Sequence, residues 1–150
     1  MLQLIRTNSN NIDFIQLVNQ LDKELTIRDG DEHDFYDQFN KIDNIKYVVV
    51  AYENEKPVSC GAIKEFDVLT MEVKRMFTQE DARGKGIASK VLYELEKWAA
   101  ELGYQKCILE TGVRQPEAIR LYTKNGYQLI ENYGQYKDVE NSRCFEKIIQ

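Results

Sequence analysis

At 150 residues the chain has the length of one domain, long enough to form a hydrophobic core without disulfides or a structural metal. Its composition, 43% hydrophobic and 30% charged, is typical of a soluble globular protein. The net charge of −5 argues against nucleic-acid binding, which needs a basic surface, and suits a cationic small substrate better. The sequence shows neither a secretory signal nor an apolar run of about 18 residues. We therefore expect a cytoplasmic protein, one domain over residues 1–150, with no membrane association.

The cysteines are odd in number and far apart, at Cys60, Cys107 and Cys144. They form no CxxC pair and have no histidine cluster nearby that could complete a zinc site. Their surroundings are apolar and strand-like, so we expect three small buried residues, no metal site and no cysteine nucleophile.

The first part of the chain predicts a strand, a helix and a hairpin. Residues 2–6 form a short strand, and Asn10 or Asn11 can cap the helix that follows. The apolar positions of this helix recur at helical spacing until it ends near residues 28–30; they are Phe14, Ile15, Val18, Leu21 and Leu25. Residues 35–39 allow a second, short helix. Residues 45–52 and 58–66 are extended segments on either side of a turn at 54–57, which indicates a hairpin.

The second part alternates strands and helices. A strand over 71–78 precedes a helix whose apolar stripe ends before Gly103 and consists of Ile87, Val91, Leu95, Trp98 and Leu102. A buried strand at 107–109 leads to a helix that starts at Pro116 and ends at Asn125-Gly126. The last strands are residues 127–130 and 144–149. This order predicts an α/β fold, a mixed sheet with one parallel crossover near its centre, where ligands often bind.

The segment Arg83-Gly84-Lys85-Gly86-Ile87-Ala88 joins a strand to a helix and predicts an anion site. Free backbone N–H groups and the positive end of the helix dipole face any group bound there. Gly84 and Gly86 lack side chains, so a phosphate oxygen can approach the main chain, and Arg83 and Lys85 add positive charge. The spacing fits neither a nucleoside triphosphate loop nor a dinucleotide fingerprint. Pyrophosphate is the natural ligand, although a turn that only caps a helix would look the same.

Two motifs in order resemble the GNAT superfamily of N-acetyltransferases. Its cofactor motif is Arg or Gln, two residues, Gly, one residue, then Gly or Ala, and Arg83, Gly86 and Ala88 occupy those places. Downstream, Ala118-Ile119-Arg120-Leu121-Tyr122 and Gly126-Tyr127 reproduce a second family pattern. Residues 45–130 follow the family layout. The resemblance implies a mixed, mostly antiparallel central sheet with flanking helices and splayed parallel strands at the cofactor site.

The resemblance also implies the cofactor contacts. In the family the pyrophosphate of acetyl-coenzyme A lies on the turn, which carries over to Arg83, Gly84, Lys85, Gly86, Ile87, Ala88 and Ser89. The pantetheine arm would pair with main-chain groups of Met76, Phe77 and Thr78. Two positions depart from the family: a frequent proline is Glu80 here, and a frequent asparagine is Gln115, whose longer amide could still reach the cofactor.

Acetyl transfer needs an uncharged amine for the attack on the thioester and a proton for the departing thiolate. The family often takes that proton from a tyrosine at the place of Tyr122, although packing alone could explain this residue. Some members use as base a glutamate eleven residues before the motif arginine, which is Glu72 here; others use a water chain. Glu110 is a rival, and either glutamate could instead anchor substrate or be solvated. His33, the only histidine, is a further candidate unless its acidic loop is simply solvated.

The residues that would bind the acetyl acceptor are less clearly indicated by the sequence. The acidic run Asp29, Asp31, Glu32 and Asp34 lies where the family's substrate loop usually falls and could hold a cationic amine, or it could be a solvated loop. Aromatic walls could come from Phe35, Tyr36, Tyr133 and Tyr136. The acceptor could be a small-molecule amine or a protein amino group. A coenzyme A-binding sensor without turnover is the alternative function, and the oligomeric state is open, with a homodimer as one option.

Overall fold

The computed structural model describes residues 1–29 and 45–150, and the side chains of Arg28 and Asp29 are outside the description. Within these ranges, seven strands form one sheet and three α-helices pack on it. In chain order the elements are β1 Leu2–Thr7, α1 Ile12–Asp29, β2 Tyr47–Glu53, β3 Lys56–Asp67, β4 Thr70–Thr78, α2 Ile87–Glu101, β5 Lys106–Gly112, α3 Pro116–Lys124, β6 Gln128–Ile130 and β7 Ser142–Ile148. Short 3-10 turns occupy Glu80–Ala82 and Gly134–Tyr136.

The strand order across the sheet is β1-β2-β3-β4-β5-β7-β6. Neighbouring strands are antiparallel except β4 and β5, which are joined through α2 and run parallel. Their pairing covers only residues 70–72 of β4 against 106–108 of β5, whereas β4 continues to Thr78. The two strands therefore splay beyond Glu72. The predicted fold class, a mixed and mostly antiparallel sheet with one parallel pair, is confirmed.

The two faces of the sheet carry separate hydrophobic clusters, because successive side chains of a strand point to opposite faces. On one face, Phe14, Leu17 and Val18 of α1 pack against Val48 and Val50 of β2. On the other face, α2 and α3 cover the sheet through a cluster that includes Val49, Ile63, Val91, Leu95 and Leu109. All of these side chains are nearly inaccessible to solvent. Helices thus pack on both faces, and β4 and β5 stay apart at one end of the sheet.

Local sequence signals account for the ends of several elements. The Asn11 side-chain oxygen accepts a hydrogen bond from the Phe14 N–H at 2.9 Å, so Asn11 is the cap of α1. The β2–β3 hairpin turns through Asn54 and Glu55, both in the left-handed region with φ of 53° and 71°. Two such residues define the turn that matches strand twist in hairpins. The second short helix predicted at 35–39 lies outside the described residues.

The three cysteines are buried, as predicted. Burial raises the pKa of the Cys60 and Cys107 thiols to about 12 and that of Cys144 to about 11. All three are therefore thiols near neutral pH, in keeping with a packing role. Among the helices of the described ranges, none has the length and apolarity needed to cross a membrane.

Candidate functional site

A groove of about 490 Å³ lies beside the open end of the splayed strands. Its walls come from the end of β4, the turn after it, the start of α2 and one side of α3; they include Met76, Phe77, Thr78, Arg83, Gly84, Gly86, Ile87, Ala88, Ser89 and Gln115. A volume of this size is typical of small-molecule sites, which span roughly 300–1,000 Å³. The groove brings together every predicted cofactor residue except Lys85.

Gly84 and Gly86 give the turn its shape. Both adopt left-handed backbone angles, with φ of 80° and 78°, and a Cβ added at either position would meet no atom within 4 Å. Gly86 is also the cap of α2 and supplies no side-chain hydrogen bond to the first N–H groups of the helix. These groups therefore face open space beside the groove, which is the arrangement that receives phosphate oxygens at a helix N-terminus.

The two basic side chains of the turn are both paired with carboxylates of the protein. Arg83 donates to the Thr78 carbonyl and to Glu24 of α1, both at 2.8 Å, and stacks over the Phe77 ring. Lys85 lies 3.4 Å from Glu53 of β2, on the other side of the turn. Because both charges have carboxylate partners, the attraction for an anion here comes mainly from the backbone and the helix dipole.

Sequence reasoning missed two exposed cations on the rim of the groove, Arg120 and Lys124 of α3. Their four-residue spacing, which puts both on one side of a helix, was the available signal.

A second, smaller pocket of about 100 Å³ adjoins the groove. The two cavities share five lining residues: Leu21, Met76, Gln115, Ala118 and Tyr122. Beyond them the small pocket is ionic, because Glu72, Lys74 and Arg75 of β4 and Glu110 of β5 line it. A molecule in the groove can thus contact a molecule in the pocket at the place where Tyr122 lies.

Tyr122 is 6% exposed, and its ring packs edge-on against Tyr127 at 5.8 Å and obliquely against Phe145 at 6.5 Å. Burial raises the pKa of its hydroxyl above the usual value, and the nearby negative charge of Glu110 raises it further. The hydroxyl is therefore protonated near neutral pH and can act as a donor. The residue is both a packing residue and a wall of each cavity.

Glu72 and Glu110 both lie where β4 and β5 diverge. The Tyr133 hydroxyl donates a hydrogen bond to the Glu72 carboxylate at 2.6 Å, and Lys74 lies 3.9 Å from its other oxygen. Tyr136, almost fully buried, lines the pocket beside them. Tyr136 thus forms part of the pocket wall, whereas Tyr133 contacts Glu72 without lining the pocket. Their predicted role as walls of an acceptor site stays a prediction.

Other predicted residues are outside the described ranges. His33, the acidic residues Asp31, Glu32 and Asp34, and the aromatic residues Phe35 and Tyr36 lie in the segment 30–44, and only the backbone of Asp29 is described. Their predicted roles stay predictions.

The sheet thus splays beside a glycine turn, and a groove at this place leads to a buried tyrosine. The chain belongs to the Acetyltransferase (GNAT) family, whose sequence model matches residues 14–127. It is thus an acyltransferase of the N-acetyltransferase type. The resemblance inferred from the two motifs is confirmed.

Two known proteins are similar to this chain in sequence, one over most of its length and the other over a shorter part. The IAA acetyltransferase of Azospirillum brasilense is 34% identical over 136 residues, which span 89% of this chain and 88% of that protein. The uncharacterized N-acetyltransferase YsnE of Bacillus subtilis (strain 168) is 35% identical over 94 residues, 61% of this chain. That match spans 62% of YsnE, less than two thirds of its length.

Two solved structures share the fold. A protein of Klebsiella pneumoniae subsp. pneumoniae MGH 78578, named as an acyl-CoA N-acyltransferase, superposes with a TM-score of 0.84 at 27% identity and covers 100% of this chain and 99% of its own. A GNAT family acetyltransferase of Elizabethkingia anophelis, solved with acetyl-CoA bound, has a TM-score of 0.70 at 17% identity, with coverage of 98% and 97%. The second structure shows that this fold accommodates acetyl-CoA in that protein.

Proposed function

We propose that the protein transfers the acetyl group of acetyl-coenzyme A to an amine by direct attack, without a covalent enzyme intermediate. The observation that carries this proposal is the continuity of the two cavities. The long groove and the small ionic pocket meet at Tyr122, so a thioester in one can meet an amine in the other. Acetyl-coenzyme A occurs in the cytoplasm, and we expect the enzyme to act there.

The proposed cofactor contacts are mainly with the backbone. The N–H groups of residues 84–88 would receive the pyrophosphate, since Gly84 and Gly86 leave space for it. The β4 edge facing β5 is not paired with β5 beyond Glu72, so main-chain groups of Met76–Thr78 can bind the amides of the pantetheine arm. Gln115 borders both cavities, and Arg120 and Lys124 supply positive charge at the rim.

The reaction requires two proton transfers. Glu72 would accept a proton from the amine as its nitrogen attacks the acetyl carbonyl carbon and forms the C–N bond. The C–S bond then breaks, and Tyr122 would give its proton to the sulfur of coenzyme A. Glu110 lines the same pocket and is the alternative base. The raised pKa keeps the Tyr122 hydroxyl protonated before the thiolate forms, and it also makes the hydroxyl a weaker acid than an ordinary tyrosine.

The test is incubation of the protein with acetyl-coenzyme A and a panel of amines, with thiol release as the readout. Release that depends on the amine supports the proposal. Tight binding of acetyl-coenzyme A with no turnover across the panel would contradict it and indicate a coenzyme A-binding regulator instead.

A further inference from the structure

The proposed cofactor contacts leave two cations of the groove without a specific partner. Arg120 and Lys124 of α3 line the groove, and both are exposed to solvent. Within the described ranges, neither side chain forms an ion pair or a hydrogen bond. The third cation of the groove wall, Arg83, is bound to Glu24 and to the Thr78 carbonyl. Arg120 and Lys124 are therefore the cations that stay available to a ligand here.

A side-chain contact places these cations near the glycine turn. Asn125, the residue after Lys124, donates a hydrogen bond from Nδ2 to Ser89 Oγ at 3.1 Å. Ser89 belongs to the first turn of α2 and lines the groove. Arg120 lies one turn before Lys124, and residues four apart are neighbours on one side of a helix. The end of α3 thus lies next to the first turn of α2, where the pyrophosphate is proposed to bind.

The two cations lie away from the reacting end of the cofactor. The groove and the small pocket share Gln115, Ala118 and Tyr122, and the thioester is proposed to meet the amine there. Arg120 and Lys124 line the groove and do not line the small pocket. In a cofactor with its acetyl group at Tyr122 and its pyrophosphate on the turn, the part beyond the pyrophosphate is the nucleotide. The cations are therefore placed for a group of the nucleotide.

The nucleotide of coenzyme A carries such a group, a phosphate on the 3′ oxygen of the ribose, a few bonds from the pyrophosphate. A phosphate monoester has a charge of about −2 near neutral pH. Arginine can bind two phosphate oxygens with parallel N–H groups, and lysine binds phosphate as a point charge. The carbonyl end of a helix carries a partial negative charge. A phosphate near the end of α3 therefore needs the cations of that helix.

We infer that Arg120 and Lys124 bind the 3′-phosphate of coenzyme A and distinguish coenzyme A from 3′-dephospho-coenzyme A. This inference rests on the proposed acetyl-coenzyme A site and assigns its specificity for the nucleotide. Glu24 and Glu117 also line the groove. Glu24 is bound by Arg83, and Glu117 lies in the first turn of α3, about 10 Å along the helix from Lys124. The acidic residues are thus separated from the end of α3.

Calorimetry with coenzyme A and with 3′-dephospho-coenzyme A tests the inference without turnover. We expect the wild-type protein to bind coenzyme A about 10-fold more tightly at low ionic strength, the scale of two exposed ion pairs. Raising the ionic strength from about 0.05 M to about 0.5 M should shrink this ratio, because salt screens exposed charges. Equal affinity for the two ligands, or a ratio that salt leaves unchanged, would overturn the inference.

Thiol release with the amine panel separates this inference from the proposed function. Amine-dependent release by a protein that binds both ligands equally would overturn the inference and leave acetyl transfer intact. Tighter binding of coenzyme A without release would support the inference and contradict the enzymatic proposal. Absence of binding by either ligand would overturn both.

Substitutions in α3 locate the effect. Arg120→Gln and Lys124→Gln should each lower the affinity ratio between the two ligands by about 3-fold, and the double variant should bring it close to one. Affinity for 3′-dephospho-coenzyme A should stay nearly constant, since that ligand lacks the phosphate. Lys97→Gln removes an exposed cation of α2, about 15 Å along the helix from its start, and is the matched control with an unchanged ratio.

Lys85→Gln tests the rival cation of the turn. Lys85 pairs with Glu53 and does not line the groove, so its removal should leave the affinity ratio unchanged. A fall in the ratio for Lys85→Gln with none in the α3 variants would refute the assignment. An unchanged ratio in the double variant of Arg120 and Lys124 would refute it as well.

Discussion

The Tyr133 hydroxyl lies 2.6 Å from a carboxylate oxygen of Glu72, although 61 residues separate them in the chain. Tyr133 comes from the segment between β6 and β7, and Glu72 from the point where β4 leaves β5. The bond holds the proposed base at the wall of the small pocket. It also raises the question of which of the two pocket glutamates accepts the proton.

Replacing each glutamate by glutamine distinguishes Glu72 from Glu110 as the base. We expect Glu72→Gln to lower kcat by roughly 10²- to 10⁴-fold, the usual contribution of a general base, with little change in acetyl-coenzyme A affinity. Glu110→Gln makes the same change in the same pocket and should affect kcat much less. Steady-state kinetics and calorimetry measure the two effects. A larger loss in Glu110→Gln would reassign the base to Glu110.

Replacing Tyr122 with Phe tests the proton donor. We expect kcat to fall by roughly 10²-fold or more, with cofactor binding unchanged, because only the hydroxyl is removed. Tyr93→Phe is the control, since Tyr93 lies on the exposed side of α2. Full turnover in Tyr122→Phe would show that another group protonates the thiolate.

The pH dependence gives an independent check on the same residue. The pKa of Tyr122 is raised in the folded protein, so the hydroxyl stays protonated beyond the ordinary tyrosine value of about 10. A donor of this kind should give a kcat profile with no descending limb between about pH 8 and pH 10. A descending limb near pH 9 that is absent from Tyr122→Phe would contradict the raised pKa.

Gly86→Glu should abolish binding of acetyl-coenzyme A, because a carboxylate would occupy the space left for phosphate oxygens and repel them. Gly103→Glu provides a close control. Gly103 also has a left-handed φ, 95°, and an equally open position for a Cβ, but it does not line the groove. Both variants should lose similar stability from backbone strain, of about 1 kcal/mol. Similar cofactor affinity in the two variants would exclude the pyrophosphate site.

Substitution of Gly61 tests how tightly the core is packed around β3. A Cβ at this position of β3 would collide with Met76 Sδ and lie 2.8 Å from Leu95 Cδ1. We therefore expect Gly61→Ala to lower the free energy of unfolding by about 1–3 kcal/mol, as overpacking does in well-packed cores. Gly112→Ala is the control, because its Cβ would approach no atom closer than 3.7 Å. Denaturant titration compares the two, and equal stability would show that Met76 moves away freely.

Local interactions made much of this protein predictable from its sequence. The helical stripe of α2, the Asn11 cap and the hairpin at Asn54 and Glu55 depend on residues a few positions apart, which local patterns describe well. The turn at Arg83 to Ala88 is equally local, since two glycines before a helix leave backbone N–H groups that suit the proposed phosphate contacts.

Only the tertiary structure determines which groups the charged residues of that turn contact and which side chains line the small pocket. Arg83 pairs with Glu24 across 59 residues, Lys85 with Glu53 across 32, and Glu72 with Tyr133 across 61. The bulge that turns Arg75 toward Asp22 depends on the register between β3 and β4. A sequence pattern carries no information about such partners, because register and strand splay follow from packing across the whole sheet. The glycine turn was therefore predictable from the sequence, whereas the small ionic pocket appears only once the strands are assembled.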